Sequence, residues 1–298
     1  MAVLEVENLT TNYKTIRGWV KACEDVSFNV EKGQAMGLVG ESGCGKTTVA
    51  LSLLKLLPAA GRIRKGKILF NGNDLVKMND NQIRKIRWKG IAIVFQGAMN
   101  ALNPVYKVSE QINEAIKLHE PGISRGKARE RVEALFEMVG IDKTRADNYP
   151  HEFSGGMRQR ALIAMALACN PEVLVADEPG TALDVVVQAQ ILKLLRELKE
   201  KLNLSMVFIS HDLSIVAETC EKLAIMYAGQ MVEYGDTKSI FAKPLHPYTQ
   251  GLLGAFPSIK GQRTKLISIP GQPPDLLDPP KGCRFNPRCP YVMDVCKT

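Results

Sequence analysis

Apolar and polar positions alternate over residues 2–10 (Val3, Leu4, Val6) and again over 20–30 (Val26, Phe28, Val30). A period of two predicts strands of a sheet with one wet face. Met36-Gly-Leu-Val39 is a short buried strand running into a glycine-rich turn. The spacing that follows predicts a helix over about 46–57, with Val49, Leu53, Leu54 and Leu57 on one face. Ile91-Ala-Ile-Val-Phe95, Val173-Leu-Val-Ala176 and Ser205–Ile209 are continuous apolar runs of strand length, the pattern of parallel strands covered on both faces. Over about 108–168 the period turns helical (Ala128, Val132, Leu135, Phe136, Val139). Strands alternating with helices predict an α/β fold with a helical insertion.

From about Pro257 the composition shifts: eight of the sixteen prolines fall in the last 42 residues. Proline at that density excludes regular helix and central strand, so an extended appendage is expected, held by something other than a large core. The whole chain has 298 residues, enough for one large or two small domains. Its 23% charged and 45% apolar content excludes disordered and collagen-like classes. No apolar run approaches the ~20 residues of a membrane span, and residues 1–10 lack a secretory apolar core, so the chain reads as soluble and cytosolic. The net charge of +8 permits an acidic partner without selecting one. Seven cysteines without an export signal argue against a disulfide framework. Cys23, Cys44, Cys169 and Cys220 read as structural, whereas Cys283, Cys289 and Cys296 crowd into the last sixteen residues.

Gly40-Glu41-Ser42-Gly43-Cys44-Gly45-Lys46-Thr47, followed by Thr48, fits G-x-x-x-x-G-K-[ST] directly after a strand and before a helix. Glycines let backbone N–H groups turn inward around phosphates, and a helix N-terminus adds the positive end of its dipole. Lys46 is expected to reach the β- and γ-phosphates of ATP and the Thr47 hydroxyl to ligate Mg²⁺. A second element narrows the chemistry. Val173–Ala176 ends in Asp177 and Glu178, where Asp177 would hold the Mg²⁺ shell and Glu178 would polarise the attacking water.

Phe153-Ser154-Gly155-Gly156-Met157, followed by Arg158-Gln-Arg160, resembles the signature of ABC ATPases and precedes the acidic strand at the expected distance. Gln96 (Q-loop), Thr181-Ala-Leu-Asp184 (D-loop) and Ile209-Ser-His211-Asp212 (H-loop) continue the resemblance in family order over nearly all of residues 1–240. The resemblance implies a P-loop, RecA-like core with an antiparallel β subdomain and a helical insertion at about 97–168, together spanning 1–243. It implies that Tyr13 stacks on adenine, that Gln96 contacts Mg²⁺ and senses the membrane partner, and that His211 bonds the γ-phosphate. Ser154, Gly155 and Gly156 would cap the γ-phosphate held by a second, homologous ATPase subunit, with Asp184 also at the nucleotide.

One cassette without membrane helices or a long coiled coil points to a separate ATPase subunit docked on membrane proteins. His246-Pro-Tyr-Thr249, Leu252, Leu253, Phe256-Pro257, Asn100-Ala-Leu-Asn-Pro104 and Met226-Tyr-Ala-Gly-Gln230 are similar to oligopeptide/dipeptide importer ATPases, closer to the D-type subunit. That subfamily implies a Pro/Cys-rich extension at 244–298, two permease subunits, an extracytoplasmic solute-binding protein and a place on the cytoplasmic face of the membrane. Nickel, opines and oligosaccharides stay open as solutes beside peptides. A soluble ATPase or iron–sulfur regulator holding nucleic acid is the rival class, but no basic, aromatic-rich face supports nucleic acid.

Cys283, Cys289 and Cys296, spaced C-x₅-C-x₆-C, could wrap a soft metal centre. The resemblance implies a [4Fe–4S] cluster there. Four ligands are usual, so the fourth is expected outside this chain or replaced by another ligand or an open position. Three departures from the family pattern stand out. Gly180 replaces Thr or Ser, giving the turn before the D-loop extra backbone freedom; Gly97-Ala98 replaces Asp-Pro; and Met157 replaces Gln.

Overall fold

The computed structural model describes residues 1–97, 101–255 and 269–298. Ala98 and Asn100, and Phe256 and Pro257 of the tail pattern, lie outside the described residues. Two compact units emerge: a terminal unit of residues 2–30, 34–77 and 209–298, and a middle unit of 78–208 with residues 1 and 31–33.

The chain enters the terminal unit with β1 (Ala2–Thr15), β2 (Gly18–Glu31), β3 (Ala35–Val39), α1 (Lys46–Leu53), β4 (Gly61–Phe70) and β5 (Asn73–Asp74). The alternation seen in the first thirty residues is a real sheet face: the order is β2-β1-β4-β5, and β1 pairs antiparallel with β4, placing Val6 opposite Ile68 and Tyr13 opposite Gly61. This is the expected antiparallel subdomain. The five residues of β3 are all buried. Helix α1 is shorter than the apolar spacing predicts. It ends at Leu53, because Lys55 turns to φ +50 and Leu56 N–H closes back on the Leu51 carbonyl, a left-handed stop ahead of Pro58.

The middle unit carries α2 (Asp80–Ile86), β6 (Ile91–Val94), α3 (Val108–His119), α4 (Arg125–Met138), α5 (Gly155–Ala166), β7 (Val173–Asp177), α6 (Val185–Leu202) and β8 (Ser205–Ser210). Its strands lie in the order β8-β7-β6, with β7 parallel to β6 and every residue of β7 and β8 buried. The continuous apolar runs are thus covered on both faces, as a parallel sheet requires. Phe95 falls just beyond β6, 41% exposed. The predicted helical stretch is α3 to α5, with Val108, Ile112, Ile116, Val132 and Phe136 all fully buried. Polar side chains cap these helices at positions the sequence supplies: Asn79 and Gln82 form a reciprocal box on α2, and Ser124 caps α4. Such caps contribute about 1 kcal/mol each.

Back in the terminal unit come α7 (Leu213–Thr219), β9 (Lys222–Tyr227), β10 (Gln230–Asp236), α8 (Thr237–Ala242) and α9 (Pro247–Gly254). The order is β10-β9-β3, with β9 parallel to β3 and antiparallel to β10. Residues 269–298 hold no helix or strand beyond two short 3₁₀ turns, at Asn286–Arg288 and Asp294–Lys297, in keeping with the proline count. What anchors them is one aromatic plug. Phe285, 2% exposed, packs edge-on against Tyr227 and Tyr248, with ring centres 5.1 and 5.5 Å away, and Tyr227 and Tyr248 themselves lie 4.6 Å apart. Such rings contribute both buried area and geometry.

His246 closes this seat, 5.9 Å from the Phe285 ring. Its Nδ1 accepts from Tyr248 N–H, and Glu233 accepts from the backbone N–H groups of Leu245 and His246. Burial holds the imidazole below its usual value near 6.5, partly offset by the Glu233 carboxylate. The unfolded chain therefore takes up this proton first as pH falls. The stabilisation is complete above about pH 6.5 and is lost as pH drops through the lower folded value. Urea unfolding should show stability falling below pH 6.5 more steeply in the native protein than in His246→Asn, which keeps an acceptor for Tyr248. Equal slopes would clear the ring of that role.

Candidate functional site

In the terminal unit the chain leaves β3 through Gly40 at φ +155 and enters α1 through Gly45 at φ +104. No other residue fits at either point. A Cβ on Gly40 would stand 2.1 Å from the Met226 carbonyl oxygen, and one on Gly45 would stand 2.2 Å from that of Ala22. Between them Ser42 and Gly43 are exposed, and Thr47 is exposed in the first turn of α1. Lys46 is only 6% exposed, and its ammonium donates to the Gly40 carbonyl at 2.7 Å and the Glu41 carbonyl at 3.1 Å. A buried cation on a glycine loop at a helix N-terminus is the donor set a polyphosphate needs, and the residues fit Mg·ATP. Cys44 lies beneath, 4% exposed; burial raises its thiol pKa against the pull of Lys46. It is inert packing, as are Cys23, Cys169 and Cys220, all buried, with Cys23 pushed up to about 11 by desolvation.

Tyr13 is half-buried in β1, and its hydroxyl accepts from Thr48 Oγ1 of α1 at 3.4 Å, which puts its ring beside the loop's helix. His211 is exposed just after β8, where Asp212 caps α7 by accepting from Ser214.

The middle unit holds the carboxylates. Asp177 ends β7 at 1% exposure. Glu178 turns to φ +46, a left-handed backbone that a non-glycine residue adopts only under constraint. Two donors fix its carboxylate: Gln96 Nε2 at 2.8 Å and Thr181 Oγ1 at 2.9 Å, both on Oε2. A carboxylate and a hydroxyl from the turn after β7 and an amide from beyond β6 are thus assembled at one point. Asp184 caps α6, accepting from Val187 N–H at 2.9 Å, and Ser154 caps α5, accepting from Met157 N–H at 3.3 Å. Gly155 and Gly156 open α5, where a Cβ on Gly156 would meet Val187 at 2.7 Å.

Two expectations change. Gly180 needs no unusual backbone. A Cβ there would stand 2.5 Å from Cγ of Gln188, a flexible side chain that would have to shift to admit the Thr or Ser usual at this position. The iron–sulfur expectation finds no ligand set: among the described residues, no three His, Cys, Asp or Glu side chains gather as a metal site. The Cys-rich segment is instead closed by Cys283 N–H on the Cys296 carbonyl, Asn286 Nδ2 on the same oxygen, and Cys283 Sγ 3.9 Å from His246 Nε2. This arrangement of the described residues gives the expected [4Fe–4S] cluster no support.

The sequence reading missed what surrounds Glu41. Its N–H donates to the Tyr248 hydroxyl at 3.0 Å, and its carboxylate receives both guanidinium nitrogens of Arg288, at 2.8 and 3.1 Å. Tyr248 sits in a quoted motif but carried no role, and no periodicity marks Arg288 as buried. In the middle unit a cavity of about 580 Å³, lined by Trp88, Tyr106, Leu118 and Met165 among others, was equally silent.

This is a nucleotide-hydrolase site on a P-loop α/β scaffold. Residues 23–181 match the ABC transporter family and residues 232–296 the C-terminal region of oligopeptide/dipeptide transporters, and the chain belongs to the ABC transporter family as one of its ATPase cassettes. It is 47% identical over 297 residues to the dipeptide transport ATP-binding protein DppD of Bacillus subtilis, covering 99% of this chain and 88% of that one. Against the oligopeptide transport ATP-binding protein OppD of Escherichia coli it is 45% identical, covering 100% and 88%. Among solved structures, the dimeric bacterial ABC transporter cassette MJ0796 matches with a TM-score of 0.71 at 27% identity, over 78% of this chain and 98% of that one.

Thr181→Val removes one of the two donors on Glu178. With a net worth of about 1 kcal/mol for such a bond, steady-state hydrolysis should show kcat reduced roughly three- to tenfold at unchanged KM for ATP. A raised KM at native kcat would instead place Thr181 in nucleotide binding.

Proposed function

We propose that this chain hydrolyses ATP to power the uptake of di- and oligopeptides, as the D-type cassette of an importer. The observation that carries the peptide assignment is the match of residues 232–296 to the oligopeptide/dipeptide transporter C-terminal region, on the same chain as the ABC transporter match at residues 23–181. The relatives named above are dipeptide and oligopeptide transport proteins, which supports the same reading.

In this reading the residue 40–47 loop holds the phosphates through its N–H groups and Lys46, while Tyr13 stacks on adenine. Mg²⁺, when bound, neutralises phosphate oxygens; Thr47, Asp177 and Gln96 are the residues that would hold it. Glu178 takes the proton from water as the water oxygen bonds the γ-phosphorus, and ADP leaves as the bridging P–O bond breaks. Gln96 and Thr181 keep the carboxylate aimed, and His211 bonds the γ-phosphate.

The signature Ser154-Gly155-Gly156 and Asp184 serve the nucleotide of a second homologous cassette. Val185 and Val186, 81% and 68% exposed beside Asp184, support burial of that face against a partner. Two permease subunits and an extracytoplasmic solute-binding protein complete the assembly. The cavity at Trp88, Tyr106 and Leu118 suits docking of a permease segment, with the cassette on the cytoplasmic face of the membrane. Among the described residues no helix is long and apolar enough to cross a membrane, in keeping with peripheral attachment.

Glu178→Gln should lower phosphate release by the assembled complex about 10²–10⁴-fold while ATP binding stays within twofold. Native-like turnover would remove Glu178 as the base. For the solute, vesicles carrying the complex should accumulate labelled dipeptide in an ATP-dependent way. Accumulation of nickel, an opine or an oligosaccharide instead would refute the peptide assignment.

A further inference from the structure

We propose that the C-terminal Cys-rich segment clamps the phosphate-binding loop, with Arg288 as the positioning residue that holds Glu41 aside from the incoming triphosphate. The inference rests on the reading of residues 40–47 as the ATP cradle. It assigns to the extension a task within nucleotide binding.

The clamp grips at two points, both within the terminal unit. At the first, the Arg288 side chain, 6% exposed, spends its whole fork: Nε on the Pro270 carbonyl at 2.7 Å, Nη1 on Glu41 Oε2 at 2.8 Å and on the Tyr227 hydroxyl at 3.2 Å, Nη2 on Glu41 Oε1 at 3.1 Å. The guanidinium also lies 5.6 Å from the Tyr227 ring centre. At the second, Arg284, 3% exposed, donates to the Ala228 carbonyl at 2.5 Å and pairs with Glu24. The next residue, Gly229, donates its N–H to the Cys44 carbonyl inside the loop at 2.9 Å. Phe285, between the two arginines, is the plug that fixes both. The loop is therefore held at Glu41 by Arg288 and Tyr248, and at Cys44 through Gly229. Those two loop residues are themselves joined by Cys44 N–H on the Glu41 carbonyl at 3.2 Å.

Two physical consequences follow. Fixing both ends of residues 41–44 pre-orders the N–H groups that must converge on phosphate, so less ordering is left for ATP to impose. Glu41 also places a negative charge in a loop built for anions. The bidentate Arg288 pair neutralises that carboxylate and draws it to the extension's side, whereas an unpaired carboxylate would repel the triphosphate. Removing one partner of a largely buried pair costs more than the pair itself is worth, because the charge left behind has no counter-ion.

The test is steady-state ATP hydrolysis by the assembled complex, with KM and kcat resolved. Arg288→Ala should raise KM for ATP about tenfold with kcat within twofold. Arg288→Lys, which keeps the charge but not the fork, should raise it about threefold. Adding Glu41→Gln to Arg288→Ala should bring KM back to within threefold of native, although the extension stays unlatched. That recovery separates the Glu41 charge, which Arg288 holds aside, from the anchoring of the loop, since lost anchoring is not repaired by removing a second contact. If Arg288→Ala fails to fold, Arg288→Lys with and without Glu41→Gln carries the same comparison. Arg17→Ala, which breaks an exposed ion pair between β2's preceding turn and Asp275 of the extension, should leave KM unchanged. An unchanged KM in Arg288→Ala overturns the proposal, and no recovery on adding Glu41→Gln overturns the role of Arg288 in holding the Glu41 charge aside. If Lys46→Ala also binds ATP as tightly as the native protein, the loop itself is misassigned and both readings fall.

Discussion

Everything in this protein depends on one steric constraint, that two carbonyl oxygens occupy the space where side chains would begin. Met226 and Ala22 press against Gly40 and Gly45 so closely that only glycine allows the chain to turn out of β3 and into α1. The turn points backbone N–H groups and the first turn of a helix toward one place, and buries the Lys46 ammonium against the loop's own carbonyls. Such a convergence of N–H groups, a helix start and a buried ammonium suits an anionic phosphate. The catalytic chemistry and the coupling to transport use a nucleotide that this geometry holds.

The same constraint explains why the extension matters. A glycine-rich loop has little internal packing beyond Cys44 and Lys46, so part of what orders it comes from outside. Tyr248, Arg288 and the Ala228–Gly229 turn supply that order, all within the terminal unit. Residues 269–298 hold only two short 3₁₀ turns, and the buried ones among them are those that reach the loop's surroundings: Arg284, Phe285 and Arg288. In the middle unit the strained backbone at Glu178 plays the parallel part, with Gln96 and Thr181 fixing the carboxylate that the strand end delivers.

Much of this was legible in the sequence where chemistry and backbone geometry demand the same residues. The loop at 40–47, the acids at 177 and 178 and the antiparallel start all stood out, because glycine spacing, apolar runs and alternation are local signals. Helix α1 came out shorter than its apolar spacing, since Leu57 lies beyond a left-handed stop at Lys55 that no pattern announced. Gly180 suggested freedom of the backbone, yet its φ is not among the positive ones, and the neighbour a larger residue would meet, Gln188, lies eight residues on. Arg288 was invisible because its partner Glu41 is far away in sequence, and a lone arginine between cysteines reads as a surface charge. The three cysteines attracted a metal reading from spacing and resemblance, while the segment is closed by backbone hydrogen bonds and an aromatic plug.

Backbone amide chemical shifts during titration of the isotope-labelled protein with Mg·ATP test the central claim most directly. The amides of Gly43, Gly45, Lys46 and Thr47 should move first and furthest, saturating together with nucleotide binding. Saturable ATP binding that leaves those four amides in place would contradict the cradle, and with it the account built on it.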